Sequence, residues 1–228
     1  MSVPEAGTAR SAPRFSLLFT PADGKAYNSK DRDLVFAQQP LENPKLPGYL
    51  FPSPTSRIKP PELKYGWRLG EEQFLSLIHT HFTDAIRYCI GPGLDDDGNE
   101  PDLPPEEFLR PHINTDATLF GLHIVDSILR YLGVKVTDAN RALIDVDYLC
   151  DSQGRPDVGL AVGSTHTGLI LLEPHLSKLK ALVSPNEDAK WYLGFDNWEW
   201  SRQVPKQVPK HKAKKSTATT ALRVTTAS

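Results

Sequence analysis

The chain has 228 residues, a formal charge of −2, 39% hydrophobic residues and 20 prolines. That length supports one domain with a real core or two small ones. No run approaches the roughly 20 apolar residues that a bilayer crossing needs, the opening MSVPEAGTARSAPRF lacks the charged-then-apolar order of a signal peptide, and two cysteines, Cys89 and Cys150, exclude a disulfide framework or a four-thiolate zinc site. The expectation is an intracellular protein, in nucleus or cytoplasm, with no membrane partner.

The near-neutral total hides a division. Residues 201–228 hold seven basic residues and no acid, whereas residues 1–200 carry 19 basic and 28 acidic residues, a net −9. An acidic body with a cationic tail is therefore expected. Residues 1–13 are small, polar and Pro-containing and read as disordered. Arg14–Thr20 and Asp33–Gln38 read as short strands. Seven prolines between positions 40 and 61 block helix and central strand alike, giving an extended arm anchored by Tyr49, Leu50 and Phe51.

A helix is predicted over Gly70–Ile90. Phe74, Leu77, Ile78, Phe82, Ala85, Ile86 and Cys89 recur at three and four, and Gly91-Pro92-Gly93 stops the pattern. An acidic, Pro-rich loop follows over 94–111. A second helix is predicted over Asp116–Leu132, its stripe being Leu119, Leu122, Val125, Ile128, Leu129 and Leu132. The period then changes. Ala142–Leu149, Asp157–Val162 and Gly168–Leu172 read as strands. Pro174–Val183 reads as a helix with Pro at its first position. Lys190–Phe195 and Trp198–Val204 read as a hairpin about Asp196-Asn197, with Trp191, Leu193 and Phe195 on one buried face. The fold expected is α/β or α+β: helices flanking a small mixed sheet in a compact domain over 66–204, a Pro-rich arm over 1–65, and a disordered basic tail over 205–228.

Several motifs fail on chemistry. Gly163–Gly168 has the gap of a phosphate loop, but Leu169 and Ile170 stand where Lys and Ser or Thr are needed. The acidic run from Asp95 to Glu106 has calcium-loop spacing with Glu100 where Gly must turn. His79 and His81 are two apart on a helix and face different ways.

Residues 155–175 read RPDVGLAVGSTHTGLILLEPH. Pro156-Asp157 followed by Glu173-Pro174-His175 resembles the Pro-Asp…(Asp/Glu)-x-Lys nuclease superfamily. In that family a helix precedes three strands, the second carrying Pro-Asp and the third ending in acid, spacer and lysine. A helix and further strands follow, and the order predicted over 116–204 is similar. The resemblance implies a nuclease-like domain, active or inactive, that acts on or binds nucleic acid. Asp157 and Glu173 would hold Mg²⁺, and His175, in place of the family lysine, or Lys178 would supply a base or charge. If the second and third strands pair about Thr165, Asp157 stands directly opposite Glu173 on one face, an oxygen-rich geometry suited to a hard divalent ion. Pro174 departs from the family pattern. It ends strand pairing and makes Glu173 an alternative helix cap. A second reading is a non-enzymatic protein-interaction module in which the arm and the aromatic hairpin contact a protein partner. The tail KQVPKHKAKK is suited to nucleic-acid phosphates or to a nuclear import signal.

Overall fold

The computed structural model describes residues 18–20, 28–42, 45–90, 102–103, 109 and 117–202. Residues 14–17 of the strand expected over Arg14–Thr20, most of the acidic loop, the Cys89 side chain and the basic tail lie outside them, and the described residues 18–20 form a turn rather than a strand.

The first element among the described residues is a helix, α1 (Ser29–Phe36), where a strand was expected at 33–38. The reason is a capping box. Asn28 accepts from the N–H groups of Lys30 and Asp31, and Asp31 accepts in return from Asn28 N–H. Reciprocal satisfaction of the first-turn donors overrides the strand propensity of Leu34-Val35-Phe36. The predicted helix over 70–90 forms as two, α2 (Glu71–His81) and α3 (Thr83–Ile90). Phe82 leaves the helical conformation at the joint and buries its ring edge-on to Tyr131, centroids 6.1 Å apart. Helices α4 (Ala117–Leu132) and α5 (Asp138–Arg141, a single turn) follow, and α6 (His175–Val183) begins after Pro174.

Among the described residues seven strands form: β1 (Ile58–Lys59), β2 (Leu63–Arg68), β3 (Asp145–Cys150), β4 (Pro156–Ser164), β5 (Leu169–Ile170), β6 (Lys190–Leu193) and β7 (Ser201–Arg202). The main sheet runs β3-β4-β2-β6 with β5 also on β4, and each described pair is antiparallel. The architecture is α+β, with an antiparallel rather than a mixed sheet. The expected aromatic hairpin does not pair with itself. Strand β6 joins β2, while β7 joins β1 in a two-stranded sheet. Strand β2 has no counterpart in the expected elements, and the expected boundary at 65–66 falls inside it.

One face of the sheet, through Val158, Leu160 and Val162 of β4 and Trp67 of β2, packs with α2, α3, α4 and α6 in one apolar cluster. A second cluster unites the arm with the sheet: Phe19, Val35, Phe36 and Leu50 bury against Leu63, Cys150, Trp191 and Leu193. The sheet also bends until its ends touch. Gly194, just past β6, bridges Leu149 of β3, and Phe195 N–H donates to Tyr148 O at 3.2 Å.

That bend requires close backbone approach at the Tyr65/Gly66 bulge in β2. A Cβ on Gly66 would lie 2.1 Å from the Leu160 carbonyl oxygen, whereas one on helical Gly121 would make an ordinary 3.8 Å contact with Val146. Gly66→Ala is therefore expected to cost about 3 kcal/mol, lowering Tm by roughly 6–12 °C at this chain length. Gly121→Ala is expected to be neutral or to gain up to about 1 kcal/mol from helix propensity. Thermal melts of both variants check the pair.

Candidate functional site

The register of β4 decides where the residues singled out by the nuclease resemblance stand. Asp157 is opposite Leu149 of β3, not Glu173. Strand β5 meets β4 with Gly163 opposite Ile170, three residues out of the expected register, and pairing ends where Leu171 N–H donates to Val162 O. The physical reason lies in the turn. Gly168 closes it with φ +66°, donating to the Ser164 carbonyl, so the hairpin is tighter and centred later than Thr165.

Asp157 alternates with Val158, Leu160 and Val162, which face the helices, so its side chain lies on the opposite face from the one α6 covers. There its Oδ2 is 3.3 Å from the Arg68 guanidinium, which also donates to the Leu149 carbonyl. Glu173 precedes α6 and accepts the Ser177 backbone N–H at 3.2 Å, satisfying a first-turn donor of the helix. His175 opens α6. Lys178 turns away from both acids. Its Nζ donates to the Tyr131 carbonyl at the end of α4 and stands 4.5 Å from the Tyr131 ring centroid. The structure brings none of Asp157, Glu173, His175 and Lys178 together. With one acid paired to arginine and the other aimed at helix amides across the sheet, this donor set does not fit a divalent ion. Among the described residues, no group of three or more His, Cys, Asp or Glu side chains is placed to hold a metal.

A different charged cluster occupies the inside of the bend. Lys64, only 8% exposed, reaches from β2 across β4 to β3. Its Nζ lies 2.7 Å from Asp145, 3.0 Å from Asp147 and 3.4 Å from Glu62. Burial alone would push the ammonium pKa down, but Asp145, Asp147 and Glu62 outweigh it and hold it above the usual lysine range. Burial pushes the Asp147 carboxyl up despite Lys64 beside it. Burial would also raise Glu62, yet the Ser164 hydroxyl, which donates to it at 2.5 Å, together with Lys64 and His166 keeps it below the usual range. His166 is held low by burial, against the opposing pull of the Pro60 carbonyl and Glu62. Each polar group of the cluster thus has a partner within the protein.

In front of this cluster lies an open groove of about 600 Å³ between α4, β3 and the segment after β6. Leu122 and Phe195 project at its rim, 39% and 47% exposed. Tyr148 lines it and stacks edge-on to Phe195 with centroids 6.5 Å apart. Asp145, Asp147 and Asp196 border it; Asp145, 56% exposed at its side chain, and Asp147 are both held by Lys64, and the second Asp147 oxygen accepts the Tyr148 N–H at 2.7 Å. The groove's arginine, Arg141, is bound in a fork to Asp126 at 2.7 and 2.9 Å, which holds the Asp126 carboxyl below its usual range and pins α5 to α4.

Both rim residues were expected in the core. Leu122 belongs to the apolar stripe of the second helix and Phe195 to the alternation of Trp191 and Leu193. Their partners in those patterns are buried: Val125, Ile128, Leu129 and Leu132 on the helix, Trp191 and Leu193 on the strand. Leu122 and Phe195 emerge from the two patterns at the same groove, and the Leu119 side chain lies outside the described residues. The sequence marks them as apolar; the bend that leaves them uncovered is a tertiary property. Comparison with protein-family models, curated proteins and solved structures finds no match for the chain.

Removing Lys64 strands three acids. Lys64→Met is expected to cost about 3 kcal/mol at pH 7, the low end for a broken buried pair because Asp145 is half exposed. The raised lysine pKa makes its contribution fully present below about pH 10.4, hence at both pH 7 and pH 4. Glu62, held low, adds stability above about pH 4.3 that fades as the pH falls, and Asp147, held high, opposes it. In the variant, protonation of the stranded acids relieves their repulsion. The penalty is therefore expected to shrink between pH 7 and pH 4, as measured by urea denaturation; an equal penalty at both would mean that Lys64 acts by packing.

Proposed function

We propose that the chain is a non-enzymatic protein-interaction module whose binding surface is the groove between α4 and β3. The observation that carries this reading is the convergence of Leu122 and Phe195, two residues from separate core patterns, exposed at one acid-lined cleft. Single exposed apolar residues are common, and Leu34, Ile58 and Leu172 are others here, but two that meet at one cleft form a patch that a partner can cover. The chemistry favours a segment of a protein partner that places an aliphatic or aromatic side chain between Leu122 and Phe195 and sets Lys or Arg against Asp145, Asp147 and Asp196. The surface differs from the one expected, since Trp191 is buried and Trp198 and Trp200 pack with the arm in the second core cluster. Phosphates are disfavoured at this acidic lining, and nucleic-acid binding, if present, would fall to the cations of 203–228.

The nuclease-like alternative needs Asp157 and Glu173 to share an ion, and the opposite faces they occupy weigh against it. On the interaction reading, 10 mM Mg²⁺ is expected to leave the thermal midpoint unchanged. A metal-dependent rise that disappears in Asp157→Asn would restore the nuclease reading, because only a ligand of the native state stabilises in this way.

Selection of a random peptide library against the full chain tests the groove. Enriched peptides are expected to combine a large apolar residue with Lys or Arg, and to lose tenfold or more in affinity, about 1.4 kcal/mol or more, for Leu122→Asp and for Phe195→Ala. Both positions are exposed, so neither change should unfold the chain. Peptides that bind these variants as well as the parent would overturn the reading.

A further inference from the structure

Resting on the groove reading above, we infer that His166 and Glu62 form an acid-sensitive latch on the bend that carries Phe195, so that acid loosens the groove's rim and weakens the hold on its occupant.

Glu62 grips the bend on both sides of Phe195. Gly194 N–H donates to the Glu62 carbonyl at 3.0 Å, and Glu62 N–H donates to the Asn197 carbonyl at 2.8 Å. The Asn197 side-chain amide donates to Glu62 Oε2 at 3.2 Å. Phe195 and Asp196, both at the groove, thus lie on a short span whose two ends are bonded to one residue. Whatever shifts Glu62 shifts the rim.

His166 is placed to do so. Its Nε2 stands 2.9 Å from the Pro60 carbonyl, an acceptor only, so the neutral ring carries its proton there. Nδ1 is then bare, and it lies 3.4 Å from Glu62 Oε2, the oxygen that receives Asn197. The other carboxylate oxygen takes the Ser164 hydroxyl at 2.5 Å and Lys64 at 3.4 Å. The charged groups that act on the ring are Glu62, Lys59 and Lys64, with Asp145 and Asp147 on the far side of Lys64.

A proton on Nδ1 adds a cation beside two lysines, with one nearby carboxylate to share, where the His166 and Glu62 side chains are each 12% exposed. Either the carboxylate turns to the imidazolium and slackens on Asn197, or the ring leaves for water and gives up Pro60. Both outcomes loosen the residue that grips the bend.

The sign follows from burial, which holds the His166 pKa below its usual 6.5. The stabilisation is complete above about pH 6.5 and is lost as the pH falls through the folded value. Glu62, held low, stays ionised through that window. By reciprocity, an occupant that needs the closed rim lowers the ring's pKa further.

The probe is a library-selected peptide that binds through Leu122 and contains no His, Asp or Glu. Its affinity for the full chain is expected to fall about threefold or more between about pH 7.5 and about pH 4.5. His166→Gln, which cannot titrate, is expected to remove that fall; the acids of the groove titrate alike in both chains and cancel. An equal fall in both, or none in the parent, overturns the latch and leaves the groove reading standing. Failure to select any peptide that depends on Leu122 removes both.

Two measurements guard against a poorly folded variant. The first is an NMR titration of the His166 ring in the parent, whose midpoint is expected to drop by about 0.5 when the peptide is bound; an unchanged or raised midpoint overturns the inference. The second is amide exchange without peptide. Protection of Gly194 and Phe195 relative to Leu160 is expected to fall severalfold in the parent over the same pH range, and uniform protection overturns the inference whatever the peptides do.

Discussion

A lysine ammonium taken out of water has to be met by acids, and in this fold that requirement joins strands that do not touch. Lys64 belongs to β2 and its acids Asp145 and Asp147 to β3, with β4 between them. The salt bridges span that strand, whose residues opposite Asp147 and Tyr65 are Gly159 and Gly163. A Cβ on Gly159 would meet the Leu149 side chain and one on Gly163 the Ile170 side chain, so these glycines serve strand packing rather than the charged cluster. Replacing such a cluster by apolar residues often does no harm to stability. Its value here is positional, since it dictates which strands lie two apart and how sharply the sheet turns.

The groove inherits its character from that arrangement. Asp145 and Asp147 border the cleft and hold Lys64, and the second Asp147 oxygen accepts the Tyr148 N–H. These acids are therefore fixed by an internal cation, and Arg141 is likewise taken up by Asp126. The same bend that brings Gly194 to Leu149 carries Phe195 onto the rim opposite Leu122. Of the two exposed apolar residues, Leu122 sits on α4 and Phe195 in the bend just past β6.

The helices were largely legible, because Phe74, Leu77, Ile78, Val125, Ile128 and Leu129 repeat at helical spacing and are buried as that spacing requires. Strands β3 and β4 were legible from β-branched runs. Strand β2 was not, since Leu63-Lys64-Tyr65-Gly66-Trp67-Arg68 places a lysine and a glycine where a strand pattern wants apolar residues, and both are explained only by the cluster and the close approach. Helix α1 was hidden by Leu34-Val35-Phe36, although Asn28 and Asp31 carried the capping signal. The pairing of β6 with β2 and of β7 with β1 depends on partners over a hundred residues away, which no local pattern encodes. At the site, the pair Asp157 and Glu173 rested on a hairpin register that a shift of three residues undoes. At the groove, Leu122 and Phe195 were legible only as members of apolar patterns, not as the members left uncovered.

The proline-rich arm has a further consequence where it ends. Leu41 exchanges backbone hydrogen bonds with Trp191 at 2.9 and 3.0 Å, and the Gln39 side-chain oxygen accepts from Leu193 N–H at 2.7 Å. These are the outward-facing groups of β6, the last strand of the sheet. An uncovered border of this kind recruits strands from other molecules and seeds aggregates. Proline-rich chain makes a good cover because it can saturate a few groups without offering a continuous row of its own donors for the next molecule to extend. The arm is thus a terminator for sheet growth, keeping the molecule from polymerising through its own hydrogen-bonding edge.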